Sequence, residues 1–262
     1  MTASRRPPGE DPGARRPVAR GASHAITHRV DGALARGASD AMARAVSAVV
    51  FDLGGVLIDW NPRHLYRRVF GGDATAMERF LAEVCTPEWN ARQDAGRPWP
   101  DAIAELVERH PEARDLIVAY DERWEEMLGG PIDGSVEVLR DLSAAGVPVY
   151  ALSNWSAGKF PVARARYPFL GWFRDVVISG EVGMVKPDPA IFRLLLDRHG
   201  LRPAVTAYID DTEANVQVAR SLGMVGIRFE SARQLRAELA ALGLLGQAAA
   251  DVGVPGLAPP GP

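Results

Sequence analysis

The stretch Val46 to Asp52 is a mostly apolar run rich in valine. It ends on a carboxylate, Asp52, with Gly54 and Gly55 just beyond. Apolar residues at both alternating positions leave no side for solvent, as in a central strand of a parallel sheet. An Asp at the carboxyl end of such a strand, with glycines after it, stands where open α/β sheets hold their ligands. Taken alone, the same Asp could simply cap a strand-to-loop turn.

The rest of the chain decides what surrounds that strand. From Ser135 helix and strand signals alternate: a helix to Ala145, a strand at 147–152, another helical piece, and a strand at 176–179. A helix follows from Pro189 to His199, with Asp188 suited to the N-cap and Pro189 to the first helical position. A strand at 207–210, a helix through Gly223 and a strand at 225–229 complete the series. Strands separated by helices imply a parallel sheet covered on both faces. The expected fold is therefore α/β, with a Rossmann-like core formed by residues 45–61 and 131–245.

Residues 62–130 read differently. Apolar residues recur at three- and four-residue spacing, as in Leu65, Val69 and Phe70, or Met77, Phe80, Leu81 and Val84. The series runs on through Trp124 and Leu128, with breaks at Gly71-Gly72, Pro87, Gly96 to Pro98 and Pro111. This predicts four or five helices with no strand between them, an all-helical insertion. Trp89, Trp99 and Trp124 read as packing residues of that bundle rather than a ligand cage.

The two ends carry little pattern. Residues 1–44 are rich in Arg, Gly, Pro and Ser and cannot bury enough surface to offset chain entropy, so a disordered tail is expected. Their Arg-rich, acid-poor composition is similar to that of an organellar transit peptide, without a clear amphipathic helix. Met42 stands just before the first strand, which makes it a candidate natural start and puts residues 1–41 in question. Residues 246–262, mostly Ala, Gly and Pro, are expected to be a flexible tail.

Charge and composition exclude several functions. A net charge of −3 provides no global basic field for nucleic acid. No run of 18 apolar residues exists to span a membrane. A single cysteine, Cys85, excludes an intrachain disulfide and fits a reducing, cytoplasmic compartment, with the thiol in the core. Five histidines are scattered without metal-ligand spacing. Among the 30 basic residues two are lysine, Lys159 and Lys186. In so arginine-rich a background, a retained lysine hints at a need for a compact point charge. Lys159 reads as a solvated surface charge, and Lys186 lies close to the strand ends.

Read together, those ends converge. The first strand ends in Asp52 and the second in Ser153-Asn154; Lys186 follows the third, and the fourth ends in Asp210-Asp211. Parallel strands share their carboxyl edge, so these groups should meet in one crevice. Three carboxylates there would repel one another unless a cation joined them. Hard oxygen donors without imidazole or thiolate select Mg²⁺. A metal, a lysine, a hydroxyl and an accessible carboxylate form a phosphoryl-transfer site, with the carboxylate as nucleophile. The bland alternatives are that Ser153 caps the next helix and that Asp210 and Asp211 cap the helix starting near Thr212.

Four segments, FDLGGVL, LSN, KPDPAIF and YIDDTEANV, resemble in order and spacing the four motifs of the haloacid dehalogenase (HAD) superfamily, over roughly residues 45–245. The resemblance implies a Rossmann-like core and a helical cap inserted between the first and second motifs. It implies Asp52 as the nucleophile that forms an aspartyl intermediate, and Ser153 as a ligand of the transferred group, with Asn154 beside it. Lys186 would neutralise the nucleophile and phosphate. Asp211 would ligate Mg²⁺, with Asp210 in the same shell or one water away and the Gly54 carbonyl as a further ligand.

One position departs from the pattern. Phosphatases of this superfamily usually carry a second Asp two residues after the nucleophile, as general acid for the leaving alcohol; here it is Gly54. General acid–base catalysis is worth about 10²- to 10⁴-fold. Three explanations stand open. The leaving group could need little protonation, as with an anomeric sugar phosphate. Another acid could serve, such as Asp59 or a cap residue. Or the chain could be a metal-independent 2-haloacid dehalogenase, whose halide leaves unprotonated. The adjacent pair Asp210-Asp211 weighs against the last, because without a metal it raises the cost of ionising Asp52. A phosphate-binding pseudoenzyme is a further alternative, against which stand Asp52, Ser153, Lys186 and Asp211 together.

The expected function is thus a Mg²⁺-dependent phosphoric monoester hydrolase for a small phosphorylated metabolite of the sugar-phosphate type. Trp155 could border the substrate or pack on the cap, and Asp59, Trp60 and Asn61 lead into the cap and could gate the site. Specificity is assigned to the cap; the substrate's identity and the oligomeric state have no readable signature.

Overall fold

The computed structural model describes residues 45–246. The expectations for residues 1–44 and for the C-terminal tail beyond Gly246 lie outside the described residues. Strand β1 (Ala48–Phe51) leads through Asp52 and a tight turn to β2 (Ile58–Trp60). Five helices follow: α1 (Arg63–Val69), α2 (Ala74–Glu83), α3 (Pro87–Asp94), α4 (Trp99–Arg109) and α5 (Arg114–Glu122). Strand β3 (Leu128–Pro131) closes this excursion. The chain then alternates through α6 (Asp133–Ala144), β4 (Val149–Ser153), α7 (Phe160–Arg166), β5 (Val176–Ile178) and the short α8 (Ser179–Val182). It ends with α9 (Pro189–His199), β6 (Thr206–Asp210), α10 (Glu213–Ser221), β7 (Val225–Arg228) and α11 (Ala232–Ala241).

β1 is the middle strand of a five-stranded parallel sheet of order β5-β4-β1-β6-β7. Its lack of a polar side is explained by what lies on either face. Val49 and Phe51 join a cluster with Val138, Leu139 and Leu142 of α6 and Leu235 and Leu239 of α11. Ala48 and Val50 point the other way, among Ile191, Phe192 and Leu195 of α9 and Ala219 of α10. Both faces are dry, so both alternate positions must be apolar.

Helix boundaries follow local chemistry. The Asp188 carboxylate accepts the Ala190 N–H at 2.8 Å ahead of Pro189, and Gly200, left-handed at φ 60°, ends α9. The sequence reading has no helix at 232–241, yet Ser231 and Gln234 form a capping box there, a signal present in the chain.

Residues 62–130 form the expected helices, and one correction. Leu128–Pro131 is a strand, paired antiparallel with Ile58–Trp60. The reading fails because Leu128 keeps helical spacing from Trp124, while LGGP carries none of the β-branched residues that mark a strand. Its extended backbone is fixed by a partner some seventy residues away. Trp89 and Trp99 are packing residues as expected, 2% and 7% exposed and edge-on to each other at 5.9 Å, with Tyr120 between α3 and α4. Cys85 is buried beside Tyr66.

The insertion is seated on the core by specific contacts. The Trp99 indole N–H donates to Ser156 Oγ at 2.7 Å, and Ser179 Oγ donates to the Asp94 carbonyl at 2.6 Å. Lys159 corrects its reading as a solvated charge. It pairs with the Asp121 carboxylate, donates to the Asp121 carbonyl at 2.8 Å and lies 5.1 Å over the Trp99 ring. No described helix is long and apolar enough to cross a membrane.

Leu139 is fully buried between α6 and the sheet. Leu139→Ala is expected to lower unfolding free energy by about 2–5 kcal/mol, read from urea midpoints at unchanged slope; a change below ~1 kcal/mol would contradict this packing.

Candidate active site

The site forms where β1, β4 and β6 end. In the parallel register Phe51 stands opposite Ala151 and Ile209, so the next residues of these strands leave the sheet side by side. Asp52 Oδ1 accepts the Leu53 N–H at 2.7 Å and the Ser153 hydroxyl at 2.8 Å. Its Oδ2 is 2.9 Å from Lys186 Nζ. The same ammonium donates to Asp210 Oδ2 at 2.7 Å. Lys186 is thus buried between two carboxylates from adjacent strands. A buried ammonium is tolerated only with such partners.

Asp210 is saturated by protein donors. Besides Lys186 it accepts from the Tyr208 hydroxyl, the Thr212 N–H at 2.8 Å and the Asn215 side-chain amide at 3.0 Å to each oxygen. The N-cap of α10 is Thr212 and the helix has no side-chain cap, so neither Asp210 nor Asp211 caps it; Asp210 accepts the Thr212 N–H just ahead of the helix and faces the site. Ser153 caps no helix; its hydroxyl is committed to Asp52, and α7 begins only at Phe160 without a side-chain cap. Asn154 makes a two-point clamp, accepting the Lys186 N–H at 2.8 Å and donating to the Lys186 carbonyl at 2.9 Å. Tyr208 and Asn215 escaped the sequence reading. Their signal was spacing, two residues before and five after Asp210 across a strand-to-helix turn.

Asp211 is the exposed member of the group. Carboxylate oxygens of Asp52, Asp210 and Asp211 lie within 4.8 Å of one another. Gly55, at φ 73°, makes this possible: a Cβ there would come within 2.3 Å of Asp211 Oδ2. Three carboxylates face one ammonium, and the acidities show the imbalance. Burial pushes the Asp52 carboxyl up to about 7 against the pull of Lys186. Asp211 is raised by burial and by the charge of Asp210. Asp210 is held below its ordinary value although burial opposes this, because Lys186 and its hydrogen bonds prevail. Lys186 is raised, desolvation being outweighed by Asp52 and Asp210.

Between the core and the helical insertion is a cavity of about 70 Å³, reached from the cluster through Gly54 and Asn154, the chain neighbours of Leu53 and Ser153. Gly54, Asn154 and Trp155 line it from the core, and Trp60, Asp94 and Trp124 from the other side. Trp155 does both things proposed for it, bordering the cavity and packing 5.7 Å from Trp124. Among the described residues the indole N–H groups of Trp60 and Trp155 meet no hydrogen-bond partner. Asp59 does not line the cavity; its carboxylate is 2.9 Å from His64 Nε2. Among the described residues the histidines pair with carboxylates and gather no metal-ligating group.

Comparison with known proteins shows the family and the fold. The family described as haloacid dehalogenase-like hydrolase matches residues 46–223. The sesquiterpene phosphatase astK of Aspergillus oryzae is 27% identical over 72% of this chain and 92% of its own length. The phosphoglycolate phosphatase of Pseudomonas putida is 26% identical over 69% of each chain. Several other curated relatives are longer proteins, of which the chain spans between 10% and 36%. A HAD family enzyme of Bacteroides thetaiotaomicron, solved with magnesium and inorganic phosphate, shares the fold. Its TM-score is 0.55 at 23% identity, over 71% of this chain and 95% of that one.

The raised Asp52 carboxyl has a measurable consequence. An unfolded Asp loses its proton near 3.8 and the folded one near 7, so between these values the folded state binds more protons. In EDTA the melting temperature should fall as pH rises from about 5 to about 8, and Asp52→Asn should flatten that slope. A parental profile that rises over this interval would contradict the assignment.

Proposed function

Because the chain is a haloacid dehalogenase-like hydrolase, we propose that it is a Mg²⁺-dependent phosphoric monoester hydrolase acting through an aspartyl phosphate on Asp52. The observation that carries this reading is the Lys186 ammonium, 2.9 Å from Asp52 and 2.7 Å from Asp210, with Ser153 on the other oxygen of Asp52. The phosphatase names of two relatives support it.

The donor set fits Mg²⁺. All three clustered side chains are hard oxygen donors, and one ammonium leaves them under-neutralised. Asp52, Asp211 and the Gly54 carbonyl would hold the ion. Asp210, whose oxygens already accept from Lys186, Tyr208, Thr212 and Asn215, would act from outside the direct shell. The bound ion supplies positive charge to the carboxylates and the phosphoryl oxygens.

The chain's own residues do the rest. Asp52 attacks phosphorus, forming its acyl phosphate as the bond to the leaving oxygen breaks; water then attacks the phosphorus and frees phosphate and Asp52. The Ser153 hydroxyl and Lys186 ammonium turn from Asp52 to the transferred oxygens, and Asn154 fixes Lys186 through its backbone. The helical insertion serves as a cap, with Trp60, Trp124 and Trp155 giving apolar faces to a small substrate of the sugar-phosphate type. A single buried cysteine supports a reducing, cytoplasmic setting.

Asp52→Asn should lower phosphate release by about 10³-fold or more, roughly 4 kcal/mol of barrier. A phosphate-ester panel with and without Mg²⁺ tests the whole reading. Metal-independent halide release from 2-chloropropionate, with no phosphate released from any ester, would replace it with the dehalogenase.

A further inference from the structure

We propose that Asp94, on the helical insertion, is the proton donor to the leaving-group oxygen, in the place of the acid that Gly54 cannot supply. This rests on the phosphatase reading and adds to it a catalytic residue far from the usual position.

The space itself points there. A Cβ built at Gly54, two residues after Asp52, meets nothing within 4 Å, and Gly54 lines the cavity. Asp94 lines the same cavity from the opposite wall, and it is the one ionisable side chain among the residues that line it. Asp59, the nearer acid in sequence, is engaged with His64 and lies off the cavity.

The surroundings of Asp94 suit an acid rather than a structural ion pair. No described cation pairs with it. Its Oδ2 accepts the Asn90 side-chain amide at 3.0 Å, and Asn90 Oδ1 accepts the Tyr120 hydroxyl at 3.2 Å, which fixes the carboxyl's orientation. Its main chain is tied to the core by the 2.6 Å bond from Ser179 Oγ. From α5 the titratable group facing it is the Tyr120 phenol, itself held protonated by burial; from the core it meets the Ser156 backbone. Burial raises its carboxyl to about 7, against the Ser156 backbone bond, and the C-terminus of α3 also disfavours negative charge there. A carboxylic acid poised near neutrality both gives and takes a proton efficiently.

The step balances. As Asp52 forms its bond to phosphorus and the P–O bond to the alcohol breaks, the Asp94 proton passes to the departing oxygen, releasing neutral alcohol. The Asp94 carboxylate then takes a proton from the water that attacks the acyl phosphate, which restores the acid and frees phosphate and Asp52.

The experiment compares two leaving groups with Mg²⁺ present. With an alkyl phosphate, Asp94→Asn should lose about 10²- to 10⁴-fold in kcat/KM, which covers formation of the acyl phosphate but not its hydrolysis, the step that both esters share. With p-nitrophenyl phosphate, whose phenolate departs without help, the loss should stay below about tenfold, ~1.4 kcal/mol. Asp94→Glu should recover part of the alkyl phosphate activity. The fall in the parent's activity as pH rises through about 7 should vanish in Asp94→Asn. Equal losses in kcat/KM on both esters, or no such loss on the alkyl ester, would overturn the assignment. Beryllium fluoride with Mg²⁺ should still raise the melting temperature of Asp94→Asn; loss of that shift would make the residue structural. If the parent releases no phosphate from either ester, the phosphatase reading fails first and this proposal falls with it.

Discussion

The Lys186 ammonium sits buried between Asp52 and Asp210, and most of the molecule's active edge can be traced to keeping it there. Removing an ion from water costs several kcal/mol even after relaxation, and recovering that energy requires excellent geometry. Here the geometry comes from three separate pieces of chain. Two carboxylates leave adjacent parallel strands in register, and a loop delivers the lysine, held to the β4 end by the two-point Asn154 clamp. None of these groups could be buried unless the others arrived. The same arrangement gives Asp210 a full set of donors and leaves Asp52 and Asp211 under-neutralised, which is the condition for a hard divalent cation.

The helical insertion walls the cavity on the side away from the sheet. Its own core is aromatic, with Tyr66, Trp89, Trp99 and Tyr120 packed on one another, and it meets the sheet domain through Trp99, Lys159 and the Ser179–Asp94 bond. A proton donor placed on this roof rather than on the strand end has a mechanistic corollary. Under that proposal the acid would reach the leaving oxygen only with the roof seated, so proton transfer and exclusion of water would coincide. Gly54 then reads as a position vacated on the floor of the cavity, with the carboxyl supplied from its ceiling.

Much of this was legible because the relevant signals are local. The double-sided apolar run of β1, and the Asp188-Pro189 start of α9, act within a few residues of themselves. Three of the four motif segments stand at strand ends and the third on the loop before α9, and their convergence follows from the rule that parallel strands share an edge. The misreadings are equally specific. Leu128–Pro131 became a strand through a distant partner, and Lys159 was drawn out of solvent by Asp121 and Trp99, residues of the insertion. The helix at Ala232–Ala241 is a different case, since its capping box was written in the chain and simply unread.

The amino-acid order by itself determined the α/β core, the helical insertion, and the list of groups at the strand ends with the hard-oxygen chemistry they imply. The tertiary structure alone decided how those groups divide the work. It spent Asp210 on Lys186 and left Asp211 open; it turned Asn154 to the backbone; it set Asp94, rather than Asp59, against the cavity. The reason is that a carboxyl's role depends on its desolvation and its charged neighbours, and in this fold those neighbours come from segments far apart along the chain.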